Sequence, residues 1–201
     1  MAGGGHGSDS MLEGDGLGTS DELLARRVQT GEREAFAELA RRYLRPIHAV
    51  VGSFLSESAD VEDAAQETFL RALQAIPGFD PERPFAPWLY QIARNVARNR
   101  LDHRRRWRTK AAGDDLAAGS PDPGTTLERS EIRSMVDRAL ARMPDKRRTA
   151  FRLFDIEGYS SAETARLMGV SEGTVRSHVH HARRTLRGEL EPLLGGDEGR
   201  P

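Results

Sequence analysis

The chain has 201 residues, enough for two small domains or one medium one, with a formal net charge of −1 and no cysteine. Without cysteine it holds no disulfide, no thiolate-ligated metal and no thiol redox sensor. No apolar run approaches the roughly 20 residues of a membrane span, and the glycine-rich first 20 residues lack an apolar signal core, which predicts a cytoplasmic protein.

The near-zero charge conceals a division along the chain. Residues 1–70 carry 13 acidic and 6 basic side chains, whereas Arg94 to Lys110 carries eight Lys or Arg against the single Asp102. Such a split suggests one cationic or mixed partner and one polyanionic partner. Lysine occurs only at Lys110 and Lys146. An arginine-dominated positive charge suits bidentate contacts to phosphates and base edges, and codon bias in a GC-rich genome produces it equally well.

In chain order, residues 1–18 read as a disordered Gly/Ser/Asp-rich tail. Thr19-Ser20-Asp21-Glu22 fits a capping box before a short helix that Gly31 ends. A longer helix follows, with Phe36, Leu39, Tyr43, Ile47, Val50 and Phe54 at helical steps and Pro46 as a possible kink. A third helix is predicted from Asp60 to Ile76, turning Val61, Ala65, Phe69 and Leu73 inward and stopping at Pro77-Gly78. The eleven residues from Pro77 to Pro87 contain four prolines and make a loop. Pro87 is then expected as the first residue of a fourth helix, with Trp88, Leu89, Ile92, Val96 and Leu101 facing inward.

Periodicity fades beyond Arg108, and Gly, Pro, Asp and Ala mark a flexible linker over 108–127. Beyond it, Ile132, Met135, Val136, Ala139, Leu140 and Met143 make an amphipathic helix closed by Pro144, and Phe151 and Phe154 belong to another ended by Gly158. Ser160-Ser161-Ala162-Glu163 is a second capping box, opening a short helix to Met168. Gly169-Val170-Ser171 then turns the chain into a last long helix. No alternating strand pattern occurs. The predicted fold is all-α: two small helical domains, 19–107 and 128–194, joined by the linker, with tails at 1–18 and 195–201.

Short helix, glycine turn, long helix is the outline of a helix-turn-helix. In the last helix Val175, Val179, Ala182 and Leu186 form an apolar stripe, and Arg176, His180, Arg183 and Arg187 repeat it one residue on. A buried stripe beside a basic one suits a helix that packs on its own domain and offers a face to DNA, although an ordinary basic amphipathic helix shares the periodicity. Ser171 and Thr174 lie where side chains or free amides contact phosphate. Among His178, His180 and His181, the spacing points His178 and His180 to different faces, and no cysteine or acidic cluster adjoins them, which argues against zinc.

In the first domain, Arg94, Asn95, Arg98 and Asn99 lie away from Trp88 and Ile92, and the helix runs on into Arg104-Arg105-Arg106-Trp107-Arg108. Phe79, Phe85 and Trp88, interleaved with Arg83, precede it. Rings that stack bases beside cations that pair phosphates are what single-stranded DNA binding uses; for Trp88 a place in the core is the better reading. Asp60, Glu62, Asp63, Gln66 and Glu67 crowd the third helix. They fit an acidic docking face better than a divalent-metal enzyme, because nothing else in the chain supplies a nucleophile, phosphate loop or general base.

Three segments, in order and spacing over about residues 20–194, resemble the sigma-70 family of RNA polymerase sigma factors. Asp60-Val61-Glu62-Asp63-Ala64-Ala65-Gln66-Glu67-Thr68-Phe69 is similar to the polymerase-binding signature of domain two. Trp88-Leu89-Tyr90-Gln91-Ile92-Ala93-Arg94-Asn95 is similar to the helix that reads the −10 element. Gly173-Thr174-Val175-Arg176-Ser177, with Ala182-Arg183, resembles the −35-reading helix of domain four. A linker with no room for a third domain is similar to the extracytoplasmic-function (ECF) subfamily.

The resemblance implies that Asp60, Glu62, Asp63, Gln66, Glu67 and Phe69 bind core polymerase. It assigns contact with the −10 region to Phe79, Arg83, Phe85, Trp88, Arg94, Asn95, Arg98, Asn99, Arg104 and Arg105, with a flipped non-template base held by the loop. It assigns the −35 duplex to Ser171, Thr174, Arg176, Ser177, His180, Arg183, Arg184 and Arg187. Implied partners are core RNA polymerase, promoter DNA and an anti-sigma factor, with no membrane contact, no cofactor and no metal. Two departures stand out. Asp80-Pro81-Glu82-Arg83-Pro84 replaces the family's frequent Gly-acid pair, and histidines occupy the recognition helix where Arg, Lys or aromatics are common. The alternatives are a stand-alone helix-turn-helix regulator, which needs neither the acidic helix nor the aromatic loop, and a magnesium-dependent nuclease using Asp60, Glu62, Asp63 and Glu67.

Overall fold

The computed structural model describes residues 19–111, 135–136 and 138–194, and every regular element among them is helical. The expected tails, the remainder of the linker beyond Ala111 and Ile132 lie outside these residues.

α1 (Asp21–Gln29) is capped by Ser20, whose hydroxyl accepts from the Leu23 amide at 3.2 Å. The cap is thus one residue later than Thr19, and Glu22 is released for another role. Gly31 turns the chain with a φ of +97°, a left-handed conformation that costs glycine little. α2 (Arg33–Gly52) carries Pro46 inside it and buries Leu39, Tyr43, Ile47, Val50 and Val51. α3 (Ser58–Ala75) ends in a 3-10 turn at Ile76–Gly78.

α3 differs from expectation in one respect. Ala64, Ala65, Thr68 and Ala72 are buried, Val61 and Phe69 pack partly against the core, and Leu73 is 43% exposed. Small residues at the inward positions let α3 approach its neighbours closely, so the inward stripe passes through Ala72 and not Leu73.

α4 (Phe85–Ala111) begins two residues before Pro87, which the first turn tolerates because its missing N–H would have no intrahelical partner. At 27 residues it is about 40 Å long, and it carries helix through residues 108–111, which the sequence placed in the linker. Its buried positions run in adjacent pairs, Phe85 and Ala86, Leu89 and Tyr90, Val96 and Ala97, because partners cover it on two sides.

Those partners include the second unit. Helical turns at residues 135–136 and 138–142 (α5) precede α6 (Asp145–Phe151), a π-helical turn (Arg152–Ile156), α7 (Ser161–Met168) and α8 (Glu172–Leu194). Gly158 breaks the chain after the π-helical turn at a φ of +77°. Ala139, Met143, Ala182 and Leu186 form a small core within this unit. Leu153, Leu167, Met168, Val175 and Val179 join the core of the first unit instead, so the apolar interior is continuous through both. Where the units meet, the Ser53 and Thr149 hydroxyls lie 3.0 Å apart and the Arg148 guanidinium sits 4.4 Å from the Phe54 ring centroid. No described helix is long and apolar enough to cross a membrane.

Candidate nucleic-acid interface

In the second unit the capping box of α7 forms as the sequence predicts. Ser160 Oγ accepts from the Glu163 amide at 3.1 Å, and Glu163 Oε2 accepts from the Ser160 amide at 2.8 Å. Gly169 ends α7 at a φ of +66°, and a Cβ there would stand 3.0 Å from Pro87 Cβ, so both conformation and space call for glycine. Ser171 Oγ accepts from the Thr174 amide at 3.1 Å and lies 2.8 Å from the Thr174 hydroxyl. Both side chains of the predicted phosphate pair are therefore engaged in opening α8.

The predicted two stripes of α8 are present. Val175, Val179, Ala182 and Leu186 are buried, each of the larger three worth about 1.5–3 kcal/mol of hydrophobic stabilisation. Arg176, Ser177, His180, Arg184 and Arg187 are exposed. Arg176 leans on Glu172 at 3.4 Å, a contact weak enough to exchange for a base edge. Arg183 is different: its guanidinium pairs with both oxygens of Asp155 on the π-helical turn and lies 5.9 Å from the Phe154 ring centroid. It is tied to its own domain. His178 is half-buried, and burial, then the charges of Arg147 and Lys146, push its pKa below the ordinary imidazole value.

In the first unit the aromatic residues of the loop form core. Phe79 and Phe85 are 5% and 1% exposed, and their rings meet edge to face with centroids 5.6 Å apart. Trp88 packs on both, at 4.9 and 5.3 Å. These rings set the loop's shape and do not stand open to a base; Asp80, Glu82 and Arg83 make its outer surface. On α4, Asn95 and Asn99 are exposed. Arg94 donates to Asp145 of α6 at 2.9 Å, with Arg98 3.7 Å from the same carboxylate. The Arg105 side chain lies outside the described residues.

Most of the acids of α3 face arginines of α4. Arg104 pairs with Glu57 and with Asp60 at 2.6 Å, and Arg100 pairs with Glu67 at 2.7 Å and approaches Asp63 at 3.7 Å. A cleft of about 680 Å³ lies between the two helices, lined in part by Val96, Asn99, His103 and Trp107. The expected single exposed acidic face is thus partly neutralised within the chain. Glu62 and Gln66 remain outward, and Phe69 supports the core.

Sequence reasoning missed Leu70, 61% exposed one turn beyond Gln66, and Trp107, 62% exposed, and it turned inward Leu73, which is 43% exposed. Leu70 and Leu73 were legible once Ala64, Ala65, Thr68 and Ala72 are recognised as filling the inward stripe. Asp145 was missed too, and no local signal marks its partnership with Arg94. Among the described residues no group of three or more His, Asp or Glu is placed to hold a metal.

The family model for Sigma-70 region 2 matches residues 39–109, and that for Sigma-70, region 4 matches residues 133–186. The RNA polymerase sigma-H factor of Pseudomonas aeruginosa is 33% identical over 184 residues, 87% of this chain and 95% of that protein. The ECF RNA polymerase sigma-E factor of Salmonella typhimurium is 32% identical over 185 residues, 87% of this chain and 96% of that protein. The solved structure of CnrH in complex with the cytosolic domain of CnrY matches with a TM-score of 0.57 and 29% identity, covering 89% of this chain and 99% of CnrH.

Proposed function

The chain belongs to the sigma-70 family, in its extracytoplasmic-function branch, and from that membership we propose how its surfaces divide the work. It is a sigma factor that binds core RNA polymerase and directs promoter-specific initiation, not a stand-alone regulator. The α8 face of Arg176, Ser177 and His180 enters the major groove at −35, while Arg184 and Arg187 meet phosphates. The loop surface around Arg83, with Asn95, Asn99 and the arginines of α4, handles the opened −10 strand. α3 docks on polymerase through Asp63, Gln66 and Glu67, extended by the exposed Leu70 and Leu73.

What carries this reading is the pairing on α8 of a buried stripe with an exposed basic one, opened by the Ser171 cap and preceded by the Gly169 turn. Phe79 and Phe85 support the −10 surface from beneath. The polymerase supplies the chemistry, and the chain contributes no catalytic group. The setting is the cytoplasm, with an anti-sigma factor as the remaining partner, consistent with a fold shared with CnrH, which was solved bound to CnrY.

In vitro transcription with core polymerase and mapped start sites is the direct test. Specific starts preceded by common −10 and −35 sequences are expected. Equal initiation with Arg176 and Asn95 both replaced by Ala would refute the assigned surfaces.

A further inference from the structure

Three polar side chains on one face of α1 reach a single target. Glu22, Arg26 and Gln29 are spaced four and three residues apart, so they align along about 10 Å of helix. Gln29 Nε2 donates to the carbonyl oxygens of Ile76 at 2.8 Å and Phe79 at 2.7 Å. Arg26 pairs with Glu82. Glu22 Oε1 accepts from the Phe85 amide at 3.1 Å, an otherwise orphaned donor at the start of α4. The loop between α3 and α4 is therefore held at its entry, middle and exit by one helix.

α1 does not rely on these bonds for its own place. Leu24 and Ala25 are buried, and Asp21 accepts from Arg42 at 2.9 Å and from the Tyr43 hydroxyl at 2.5 Å. Tyr43 in turn contacts the Phe85 ring, with centroids 5.6 Å apart. A helix fixed independently on α2 thus grips a proline-rich segment whose outer surface is polar. A loop that must capture an extruded base gains rate and selectivity when its shape is set beforehand, because less ordering is left for the binding step.

We propose that α1 is the positioning element of the promoter-melting loop, with Gln29 and Glu22 setting the loop's shape without touching DNA themselves. The proposal rests on the assignment of that loop to the −10 strand. No role for α1 in the sequence reading anticipated it, since Glu22 was placed in the helix's own capping box.

The test uses holoenzyme reconstituted with core polymerase and a duplex promoter carrying 2-aminopurine in the non-template −10 strand. Gln29→Met and Glu22→Met remove the bonds at similar size, and Glu22→Gln keeps a carbonyl acceptor. Glu22→Met, which removes one hydrogen bond, is expected to slow opening about fivefold to tenfold, and Gln29→Met, which removes two, at least as much, with core association unchanged. Glu22→Gln is expected to open within about twofold of the parent chain, because its acceptor persists. Parent-like opening by both Met variants overturns the proposal, as does a loss that follows core association or thermal stability and is not rescued by Glu22→Gln. Should Gln29→Met fold poorly, the Glu22 pair decides. Arg83→Ala and Asn95→Ala, measured in parallel, separate the two levels. If these slow opening and the α1 variants do not, α1 alone is misassigned; if none of the four slows it, the −10 assignment falls and the proposal with it.

Discussion

Arg176 and Arg187 sit on the same helix and carry the same charge, and their positions assign them different work. Arg176 stands one residue from the buried Val175, near the start of α8, where recognition helices meet base edges. Arg187 lies three turns later. Arg176→Ala should cost about 1–3 kcal/mol and relax preference at one −35 base pair, as loss of a bidentate contact does. Arg187→Ala should weaken binding evenly across sequences and lower its salt dependence. Holoenzyme binding to a panel of single-base −35 variants checks both, and an exchange of the two outcomes would show that the helix enters the groove in another phase.

His178 faces the same scale of question with a different readout. Burial first, then Arg147 and Lys146, hold its pKa below the unfolded value near 6.5. The unfolded chain therefore binds the proton more readily, and stability rises with pH up through that window. Acidification from about pH 7.5 to 5.5 should lower the melting temperature. His178→Gln should lose part of that dependence, and an identical pH profile in the variant would assign the effect to other groups.

Among the elements, α3 shows where sequence patterning succeeds and where it stops. Its existence and its inward Val61, Ala65 and Phe69 follow from period alone. Its outward chemistry does not, because the partners of Asp60, Asp63 and Glu67 are arginines about 35–45 positions later in the chain, which no local spacing reveals. The same limit hid Asp145 behind Arg94 and Glu22 behind Phe85. The stripes of α8 and the caps of α7 were legible because every bond involved is local. Charge reversal at Glu67 would place a cation beside Arg71 and Arg100 and disturb the fold itself. Leu70→Ser with Leu73→Ser is the cleaner probe of docking. Both side chains are exposed, so stability should shift by about 0.5 kcal/mol or less per site, while co-purification with core polymerase should fall sharply. Undiminished co-purification would move the docking surface away from this face.

At the scale of the whole molecule, the proposed assignment of α8 to −35 and of the α4 surface to −10 requires the two units to part. The −35 and −10 elements are about 25 base pairs apart, or ~85 Å of duplex at 3.4 Å per pair. In the structure the turn of the helix-turn-helix rests against Pro87 at the start of α4, and Asp145 engages Arg94 and Arg98. The 23 residues between Ala111 and Met135 reach at most about 80 Å fully extended, which bounds how far the two units can move apart. Separation would open the contact of Arg148 with Phe54 and release Arg94 and Arg98 from Asp145, leaving both arginines available to phosphate on the proposed reading. The isolated chain should therefore bind promoter DNA weakly, and docking on polymerase should offset the cost of opening. Asp145→Asn removes the carboxylate that holds Arg94 and Arg98, together with its 3.3 Å contact to the buried Arg148 of its own unit, at a half-buried site. It should tighten binding of the free chain to a single-stranded −10 oligonucleotide about threefold to tenfold, with little change in holoenzyme transcription. Because the chain has no native cysteine, dyes at Gln74→Cys and Gly188→Cys can report the distance directly. Energy transfer should be high in the free chain, lower in the Asp145→Asn chain, and lowest on promoter-bound holoenzyme. Equal transfer in the free and promoter-bound states would mean that the packed arrangement persists on DNA, and that Arg94 and Arg98 do not contact the −10 strand.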